Sequence, residues 1–219
     1  MQILGSLNQI YIQLIMPLKF RAGTNIMVYG VSGSGKSYFV MDVIRHQLIS
    51  NFPKKIFYFY KVRQPFMEEW SKDRSKPRVS FIEGLPSNEL EEGNCLAVFD
   101  DLMLSNLKSV AELFIYGSHH LNVTVMFLTQ NLYPKDESFR LMALNAHYMV
   151  LFADIRSHRQ VNTLANQLFT SEDKMRLINA FRMAINMPYG FVVLNFVKNI
   201  PRELTVLTNF WSETPSVFI

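Results

Sequence analysis

The stretch Gly30–Ser37, with the sequence GVSGSGKS, follows the phosphate-binding pattern G-x-x-x-x-G-K-[ST]. Glycines allow consecutive backbone N–H groups to close around phosphate oxygens, and the helix that follows directs its positive N-terminal end at them. We expect Lys36 to reach the β- and γ-phosphates and the Ser37 hydroxyl to take Mg²⁺. The stretch predicts binding of a nucleoside triphosphate rather than an inert Gly/Ser-rich turn. The expected phosphate contacts are Gly30, Val31, Ser32, Gly33, Ser34, Gly35, Lys36, Ser37 and Tyr38.

The chain around this stretch alternates between strand-like and helix-like runs, which predicts an α/β P-loop fold with a mostly parallel central sheet and helices on both faces. Strands are predicted at 26–29, 56–60, 79–82, 96–99, 123–128 and 147–152. Helices are predicted at 36–50, 104–116, 156–168 and 171–186, and residues 191–197 and 203–207 are expected to pair as a late hairpin.

Length and composition predict one domain over residues 1–219, because 49% hydrophobic residues can bury a substantial core and no linker or repeat interrupts the chain. We divide it into an N-terminal extension or interface segment (1–20), a motor core (21–168) and C-terminal helices with the hairpin (169–219). The net charge of +4 permits a polyanionic partner without requiring one. The single cysteine, Cys95, excludes a disulfide framework and favours a reducing, intracellular setting.

The first sixteen residues are apolar, but they lack a basic start and contain Asn8, Gln9 and Gln13. These features argue against a signal peptide or a membrane segment. The segment is expected to be an edge strand, or a short helix that covers the sheet or meets a neighbouring subunit.

A second motif is the hydrophobic run Cys95–Phe99 followed by Asp100 and Asp101. It looks like a Walker B element, in which a parallel strand beside the phosphate loop delivers carboxylates to the edge where ligands bind. We expect Asp100 to hold the Mg²⁺ hydration shell and Asp101 to polarise the attacking water. The alternative is an acidic turn after a buried strand.

A third strand, Val123–Thr129, ends in Gln130 and Asn131. An amide at this place can donate to a phosphate oxygen and accept from a water at the same time. Gln130 is therefore the candidate sensor of the γ-phosphate, against the alternative of a polar strand end that faces solvent.

The order of strand, GxxxxGKS, hydrophobic-DD and strand-TQN resembles the FtsK/HerA-like translocases of the RecA-type P-loop class. Among them it looks most like the viral genome-packaging ATPases of the poxvirus type and their relatives in virophages, Polinton-like elements and adenovirus-like invertebrate viruses. The resemblance covers residues 16 to about 168 and is weaker over the last fifty. It is carried by Met16–Phe20, Ser118–Leu132 and Leu144–Phe152, the last leading to Arg156 and Gln160.

The resemblance implies a ring motor that hydrolyses ATP, with Mg²⁺, at subunit interfaces and drives double-stranded DNA into a preformed capsid. The implied partners are DNA of any sequence, the viral capsid vertex and further copies of the chain in a hexamer or pentamer, without a membrane. The implied location is inside the infected host, in the nucleus or a cytoplasmic virus factory, or associated with the virion; secretion is not expected.

Such interfaces usually require an arginine supplied in trans, which neutralises charge on the transferred phosphoryl group. This sequence departs from the cellular pattern, because alignment on Gln130 places His119 at the position of that arginine. Neutral imidazole is a poor substitute at neutral pH. Arg140 and Arg156 are the remaining candidates, with Arg156 favoured because it follows a strand end; the alternative for each is an ordinary surface arginine.

Basic residues concentrate between residues 54 and 78, which favours contact with DNA phosphates but also fits an ordinary solvated surface. His119 and His120 are adjacent and lack further ligands at metal-site spacing, so no metal site is expected there. The candidate DNA contacts are Lys72, Arg74, Lys76 and Arg78.

Three other functions fit parts of the sequence. The first is another FtsK/HerA-like DNA pump or helicase. The second is a P-loop kinase for a small molecule, which normally needs a mobile lid and has no use for the Gln130 sensor. The third is a nucleotide switch or assembly scaffold, for which Asp101 would have little purpose.

Overall fold

The computed structural model of the chain describes residues 3–5, 10–13, 18–87, 89–90, 93–102, 107–117, 121–208 and 216–218. Its strands form one eleven-stranded sheet in the order β1-β2-β11-β10-β9-β8-β3-β7-β6-β4-β5. The strands are β1 Ile3–Gly5, β2 Ile10–Gln13, β3 Asn25–Tyr29, β4 Lys55–Tyr60, β5 Ser80–Glu83, β6 Cys95–Asp100, β7 Thr124–Thr129, β8 Tyr148–Phe152, β9 Phe191–Asn195, β10 Val206–Thr208 and β11 Ser216–Phe218.

Helices connect the parallel strands. A π-helical turn, Leu113–Gly117, follows α3, and 3-10 turns cover Ile155–Ser157 and Arg202–Thr205. Within the described ranges, no helix has the length and apolar character needed to cross a bilayer. The α-helices are α1 Lys36–Arg45, α2 Pro65–Lys72, α3 Leu107–Glu112, α4 Glu137–Leu144, α5 His158–Leu168 and α6 Ser171–Ile185.

The six strands from β8 to β5 in the sheet order pair in parallel. Strands β3, β6, β7 and β8 are buried along their whole length, as expected for continuous apolar runs covered on both faces. Their carboxyl ends therefore share one edge of the sheet, at which parallel α/β proteins bind ligands.

The other half of the sheet is antiparallel. Strand β9 pairs with β8, β10 with β9, β11 with β10, and β2 with β11 and β1. The predicted late hairpin is found, with Val206 opposite Leu194. Of the two alternatives for the N-terminal segment, an edge strand or a short helix, the structure shows strands, β1 and β2. Residues 1–20 and 169–219 therefore both contribute strands to the same sheet as the core.

The hydrophobic core has one layer on each face of the sheet, because side chains alternate along each strand. One layer contains Phe99 and Phe127 together with helices α3, α5 and α6. The other contains Val28 and Tyr58 together with helix α1. These layers hold the strand ends, and hence the polar groups that follow them, in fixed relative positions.

Three local features differ from the sequence-based expectation. Helix α1 ends at Arg45 rather than at residue 50, because the chain turns back to pair with Phe20, whose N–H donates to the Leu48 carbonyl at 2.9 Å. Helices α2 and α4 were not predicted; α2 has Pro65 at its first turn, and α4 is capped by the Asp136 carboxylate, which accepts from the Phe139 N–H.

Candidate active site

The candidate site lies at the carboxyl edge of the parallel strands, where β3, β6 and β7 each end in a motif from the sequence. The phosphate loop follows β3, Asp100 ends β6, and Gln130 follows β7. The strand that Asp100 ends delivers its carboxylate to the phosphate loop, as predicted, but it is not the immediate neighbour of the phosphate-loop strand in the sheet. Strand β7 lies between them, and its Thr129 carbonyl accepts from the Gly30 N–H at 3.1 Å.

Two glycines give the phosphate loop its shape. Gly33 and Gly35 have φ angles of +77° and +100°, a region that residues with a Cβ rarely adopt. Gly30 is required for a different reason, since a Cβ there would lie 2.3 Å from Ser34 Oγ and 2.8 Å from Phe152 Cβ. The loop is therefore packed against its own residues and against β8, and Ser34 Oγ has no hydrogen-bond partner among the described residues.

Lys36 is buried at the start of α1 and points back into the loop. Its Nζ donates to the carbonyl oxygens of Gly30 at 2.7 Å and Val31 at 3.0 Å. Burial lowers the pKa of Lys36, while the negative charges of Asp100 and Asp101 act in the opposite direction. An ammonium group held in this way is available to phosphate oxygens with little rearrangement.

Asp100 is buried and accepts two hydroxyl hydrogen bonds on one oxygen. Ser37 Oγ donates to Asp100 Oδ2 at 2.8 Å, and the Tyr58 hydroxyl donates to the same oxygen at 2.5 Å. The predicted pair of Ser37 and Asp100 is therefore brought together, and Tyr58 is an addition that the sequence did not reveal.

Asp101 and Gln130 also lie close together at this edge. Gln130 Nε2 approaches Asp101 Oδ1 to 3.5 Å, at the outer limit for a hydrogen bond. Asp101 has a φ of +56°, uncommon for a residue with a side chain, and is exposed at the strand end. The structure thus places the predicted water-polarising carboxylate next to the predicted sensor.

These groups surround a pocket of about 390 Å³. The pocket contains most of the predicted phosphate contacts and both carboxylates, together with Gln64, Leu128 and Tyr189, which the sequence did not indicate. It is lined by Ser32, Gly33, Gly35, Lys36, Ser37, Tyr38, Gln64, Asp100, Asp101, Leu128, Gln130 and Tyr189.

A second, more apolar cavity of about 640 Å³ adjoins the first, and Gly35, Tyr38 and Tyr189 line both. Tyr38 and Tyr189 are strongly exposed aromatic residues, 71% and 73% accessible. The remaining lining includes Phe39 and Phe152, with Asp42 as its one carboxylate. Flat aromatic faces beside a phosphate site suit a nucleobase, because every base can stack on them.

The two arginine candidates lie apart from each other. Arg156 follows β8 and forms a bidentate pair with Asp154, with N–O distances of 2.9 and 3.1 Å. The Tyr29 hydroxyl donates to Gln160 Oε1 at 2.9 Å, which ties the helix after this turn to the end of the phosphate-loop strand. Arg140 lies on α4 and lines a separate cavity with Tyr133. Neither arginine lines the phosphate pocket of its own chain.

Residues 72–78, the part of the basic stretch that holds the candidate DNA contacts, lie toward the amino ends of the parallel strands, on the side of the sheet opposite the pocket. Helix α2 begins after the carboxyl end of β4, and the chain returns through residues 73–79 to the amino end of β5. Lys72, Arg74 and Arg78 are exposed, whereas Lys76 pairs with Asp73 at 2.9 Å and covers the Trp70 ring.

Tyr58, which bonds to Asp100, and the pocket residues Gln64 and Tyr189 escaped the sequence analysis for physical reasons. Tyr58 belongs to an aromatic run that reads as core, and Gln64 precedes a helix that was not predicted. Tyr189 lies in the turn before Gly190, and only the tertiary fold brings it to the phosphate loop, where its ring would lie 3.1 Å from a Cβ on Gly35. The proline-aromatic-glycine sequence of that turn, Pro188–Gly190, was the only local signal.

Metal binding by protein groups alone has no support in the described ranges, where no cluster of three or more His, Cys, Asp or Glu side chains is suited to a metal. His119 and His120 lie outside these ranges. A cation at Ser37 and Asp100 would therefore need phosphate oxygens and water as further ligands, which is usual for Mg²⁺.

Comparison with known proteins gives structural neighbours only, since no family model and no curated protein matches the chain. The genome packaging NTPase of Sulfolobus turreted icosahedral virus 2, in complex with AMP, is 12% identical, with 79% of this chain and 92% of that chain covered and a TM-score of 0.50. Its complex with sulfate is also 12% identical, with 82% of this chain and 92% of that chain covered and a TM-score of 0.50. The DNA-packaging ATPase of Sulfolobus turreted icosahedral virus is 10% identical, with 80% of this chain and 93% of that chain covered and a TM-score of 0.52.

At such low identity the likeness establishes the fold. The α/β P-loop fold predicted from the sequence is confirmed, and its structural neighbours are viral packaging NTPases, the class that the sequence resembles.

Proposed function

We propose that this chain is a Mg²⁺-dependent ATPase that drives double-stranded DNA into a preformed viral capsid. One contact carries the ATPase part of the proposal, the hydrogen bond from Ser37 Oγ to Asp100 Oδ2 at 2.8 Å. It joins the phosphate loop to a carboxylate 63 residues away in the chain, at the pocket that Lys36 also lines. An inert turn followed by an acidic loop would not need this convergence.

The residues fit the metal that accompanies ATP. Ser37 and Asp100 would hold Mg²⁺, because hydroxyl and carboxylate oxygens are the hard ligands that this ion prefers. Because Ser37 Oγ donates its hydrogen to Asp100, it would use its lone pairs to bind a cation. Bound there, the ion would neutralise charge on the phosphate oxygens.

Hydrolysis needs a water oriented toward the γ-phosphate, and Asp101 with Gln130 supplies the groups for it. Asp101 accepts a hydrogen bond from the water and polarises it, while Gln130 donates to a phosphate oxygen or holds the water in line. Lys36 stabilises the negative charge that the phosphoryl group carries during transfer. This set of roles favours hydrolysis over a switch.

The base of the nucleotide is assigned to the apolar cavity beside the phosphate pocket, between Tyr38 and Tyr189. Its 640 Å³ exceed what a purine needs, and it shares Gly35 with the phosphate site. The AMP complex of the neighbouring fold supports a nucleotide as the ligand.

Two observations support translocation of DNA: the fold that the chain shares with its structural neighbours, and the sequence motifs that resemble the packaging ATPases. The structural neighbours include a viral genome packaging NTPase and a viral DNA-packaging ATPase. We assign the contacts with DNA phosphates to Lys72, Arg74 and Arg78, with a lesser part for Lys76 because Asp73 already neutralises it. The partners are double-stranded DNA, the capsid vertex and further copies of the chain in a five- or six-membered ring inside the infected cell.

A ring would allow one subunit to complete the site of the next, and we assign the trans arginine to Arg156. It lies at the carboxyl edge of the sheet and is exposed, and its bond to Asp154 raises its pKa, so it stays charged. Arg156→Ala is expected to lose turnover while nucleotide binding and assembly survive. Arg140→Ala is the matched variant, and loss of turnover there instead would transfer the role to Arg140.

The first test is ATP hydrolysis with and without double-stranded DNA, with Lys36→Ala as the blank and a single-stranded oligonucleotide for comparison. We expect duplex DNA to raise turnover several-fold and the blank to be silent. ATP bound without turnover would favour the switch. Turnover that DNA leaves unchanged, also in the presence of capsid, would contradict the translocase.

A further inference from the structure

The Tyr58 hydroxyl is the second donor to the carboxylate that ends β6. Tyr58 lies on β4, which pairs with β6 in parallel, and its direct partner across the strands is Val98. Asp100 is two residues further along β6, within diagonal reach of a tyrosine side chain. The hydroxyl meets Asp100 Oδ2 at 2.5 Å, and Ser37 Oγ meets the same oxygen.

The tyrosine ring is held in place by aromatic neighbours. Tyr58 is fully buried, with ring centroids 6.0 Å from Phe66 and 5.5 Å from Phe81. This packing fixes the position from which the hydroxyl donates to Asp100.

Two donors on Oδ2 determine how the carboxylate is turned. With Oδ2 engaged by Ser37 and Tyr58, rotation of the carboxylate is restricted, and Oδ1 is the oxygen that would accept from a metal-bound water. The Ser37 bond alone would leave the carboxylate free to rotate about it whenever the serine hydroxyl reorients. Carboxylate ligands of metals are commonly held by such outer hydrogen bonds, and loss of one typically costs about 10–100-fold in metal affinity or activity.

We infer that the Tyr58 hydroxyl is a positioning group for Asp100 and sets how strongly nucleotide binding depends on Mg²⁺. The inference rests on the proposed function, because it needs a nucleotide in the phosphate pocket. It concerns metal coupling, however, and it does not require turnover or DNA.

The test compares Tyr58→Phe with the wild type by the Kd of a fluorescent ATP analogue, measured in Mg²⁺ and in EDTA. Phenylalanine keeps the ring and its aromatic contacts and removes only the hydroxyl. We expect the Kd in EDTA to stay within about twofold of wild type, whereas the tightening by Mg²⁺ falls by roughly tenfold. The Mg²⁺ concentration for half-maximal hydrolysis should rise by a similar factor.

Tyr148→Phe is the matched control. Tyr148 is also a buried tyrosine, and its hydroxyl accepts from the Arg21 N–H at 3.3 Å, but it lies at the start of β8, at the opposite edge of the sheet. Its metal coupling should equal that of the wild type.

Several outcomes would overturn the inference: unchanged metal coupling in Tyr58→Phe, equal weakening in Mg²⁺ and in EDTA, or loss of the folded state in circular dichroism while Tyr148→Phe folds. Wild-type protein that binds the analogue without hydrolysing it would overturn only the ATPase proposal. Wild-type protein that binds no nucleotide would overturn both.

Discussion

The ammonium group of Lys36 lies 2.7 Å from the carbonyl oxygen of Gly30, so the lysine that should meet the nucleotide is bonded to the loop that should enclose it. Lys36 therefore stabilises the shape of the loop through its carbonyl oxygens before any phosphate is bound. The affinity of the loop for phosphate should depend on the charge state of Lys36 and on the conformation of the glycine turn that contains the Gly30 carbonyl.

The first prediction concerns pH. Burial lowers the pKa of Lys36 below its usual value of 10.5, and bound triphosphate, with its negative charge, should raise it again. Nucleotide binding therefore takes up a proton in the alkaline range, and affinity should fall as pH rises through the lowered pKa of the free protein. Isothermal calorimetry between about pH 7 and about pH 10 measures this. Lys36→Met should bind weakly with a flat profile; a falling profile in that variant would assign the effect to another group.

The second prediction concerns Gly30. Gly30→Ala introduces a Cβ into Ser34 and Phe152, which should open the loop and weaken nucleotide binding by about tenfold or more. Gly93→Ala is the matched control, because its Cβ would meet the Leu121 carbonyl oxygen at 2.2 Å at the amino end of β6, far from the pocket. It should lower the melting temperature without changing the affinity of the remaining folded protein. Equal effects of both variants on affinity would count against a local role for Gly30.

The third prediction concerns the base. Tyr189→Ala removes an aromatic face that borders both cavities, and stacking on such a face contributes about 1–3 kcal/mol per base. ATP binding should weaken by roughly tenfold to a hundredfold, whereas competition by inorganic triphosphate should not change. Tyr116→Ala, an exposed tyrosine at the end of the π-helical turn, should affect neither ligand. Equal weakening of ATP and triphosphate would assign Tyr189 to the phosphates.

The fourth prediction concerns Cys95. Its thiol is buried in β6, and burial raises its pKa to about 11, with the charge of Lys55 acting in the opposite direction. Because the thiolate is the reactive form, the native protein should resist Ellman's reagent near neutral pH. In guanidinium chloride the reagent should detect one reactive thiol per chain. Rapid labelling of the native protein would contradict this prediction and show that β6 opens.

The fifth prediction concerns the basic segment. Replacement of Lys72, Arg74, Lys76 and Arg78 by Gln should weaken binding of duplex DNA irrespective of sequence. Each phosphate contact contributes about −0.9 to the slope of log K against log salt, so the slope should flatten by about three to four. ATP affinity should not change, because the segment lies at the edge opposite the pocket. An unchanged slope would show that DNA contacts another surface.

The sequence predicted the central architecture because parallel strands buried on both faces are continuous apolar runs, such as those that contain Val28 in β3 and Val98 in β6. It also predicted that Ser37 and Asp100 serve one Mg²⁺ site, because the phosphate loop follows one strand, Asp100 ends another, and the carboxyl ends of parallel strands share one side of the sheet. It could not predict that β7 separates their strands, since the order of strands depends on packing between distant segments.

Helix α2 was missed because its eight residues, PFMEEWSK, are too short a span to show a clear helical period. Tyr58 and Tyr189 were missed for another reason: each acquires its role from a neighbour more than 40 residues away, Asp100 in one case and Gly35 in the other. Such contacts leave no local pattern in the chain.

The outer parallel strand β5 has a consequence for handling the protein. It offers only four residues to a strand from another molecule, Pro77 and Arg78 stand just before it, and it ends in the charged Glu83. Short length, a proline and charges are the features by which natural sheets discourage edge-to-edge association. The chain can therefore carry a very wide sheet and still be concentrated without this side acting as a seed for aggregation.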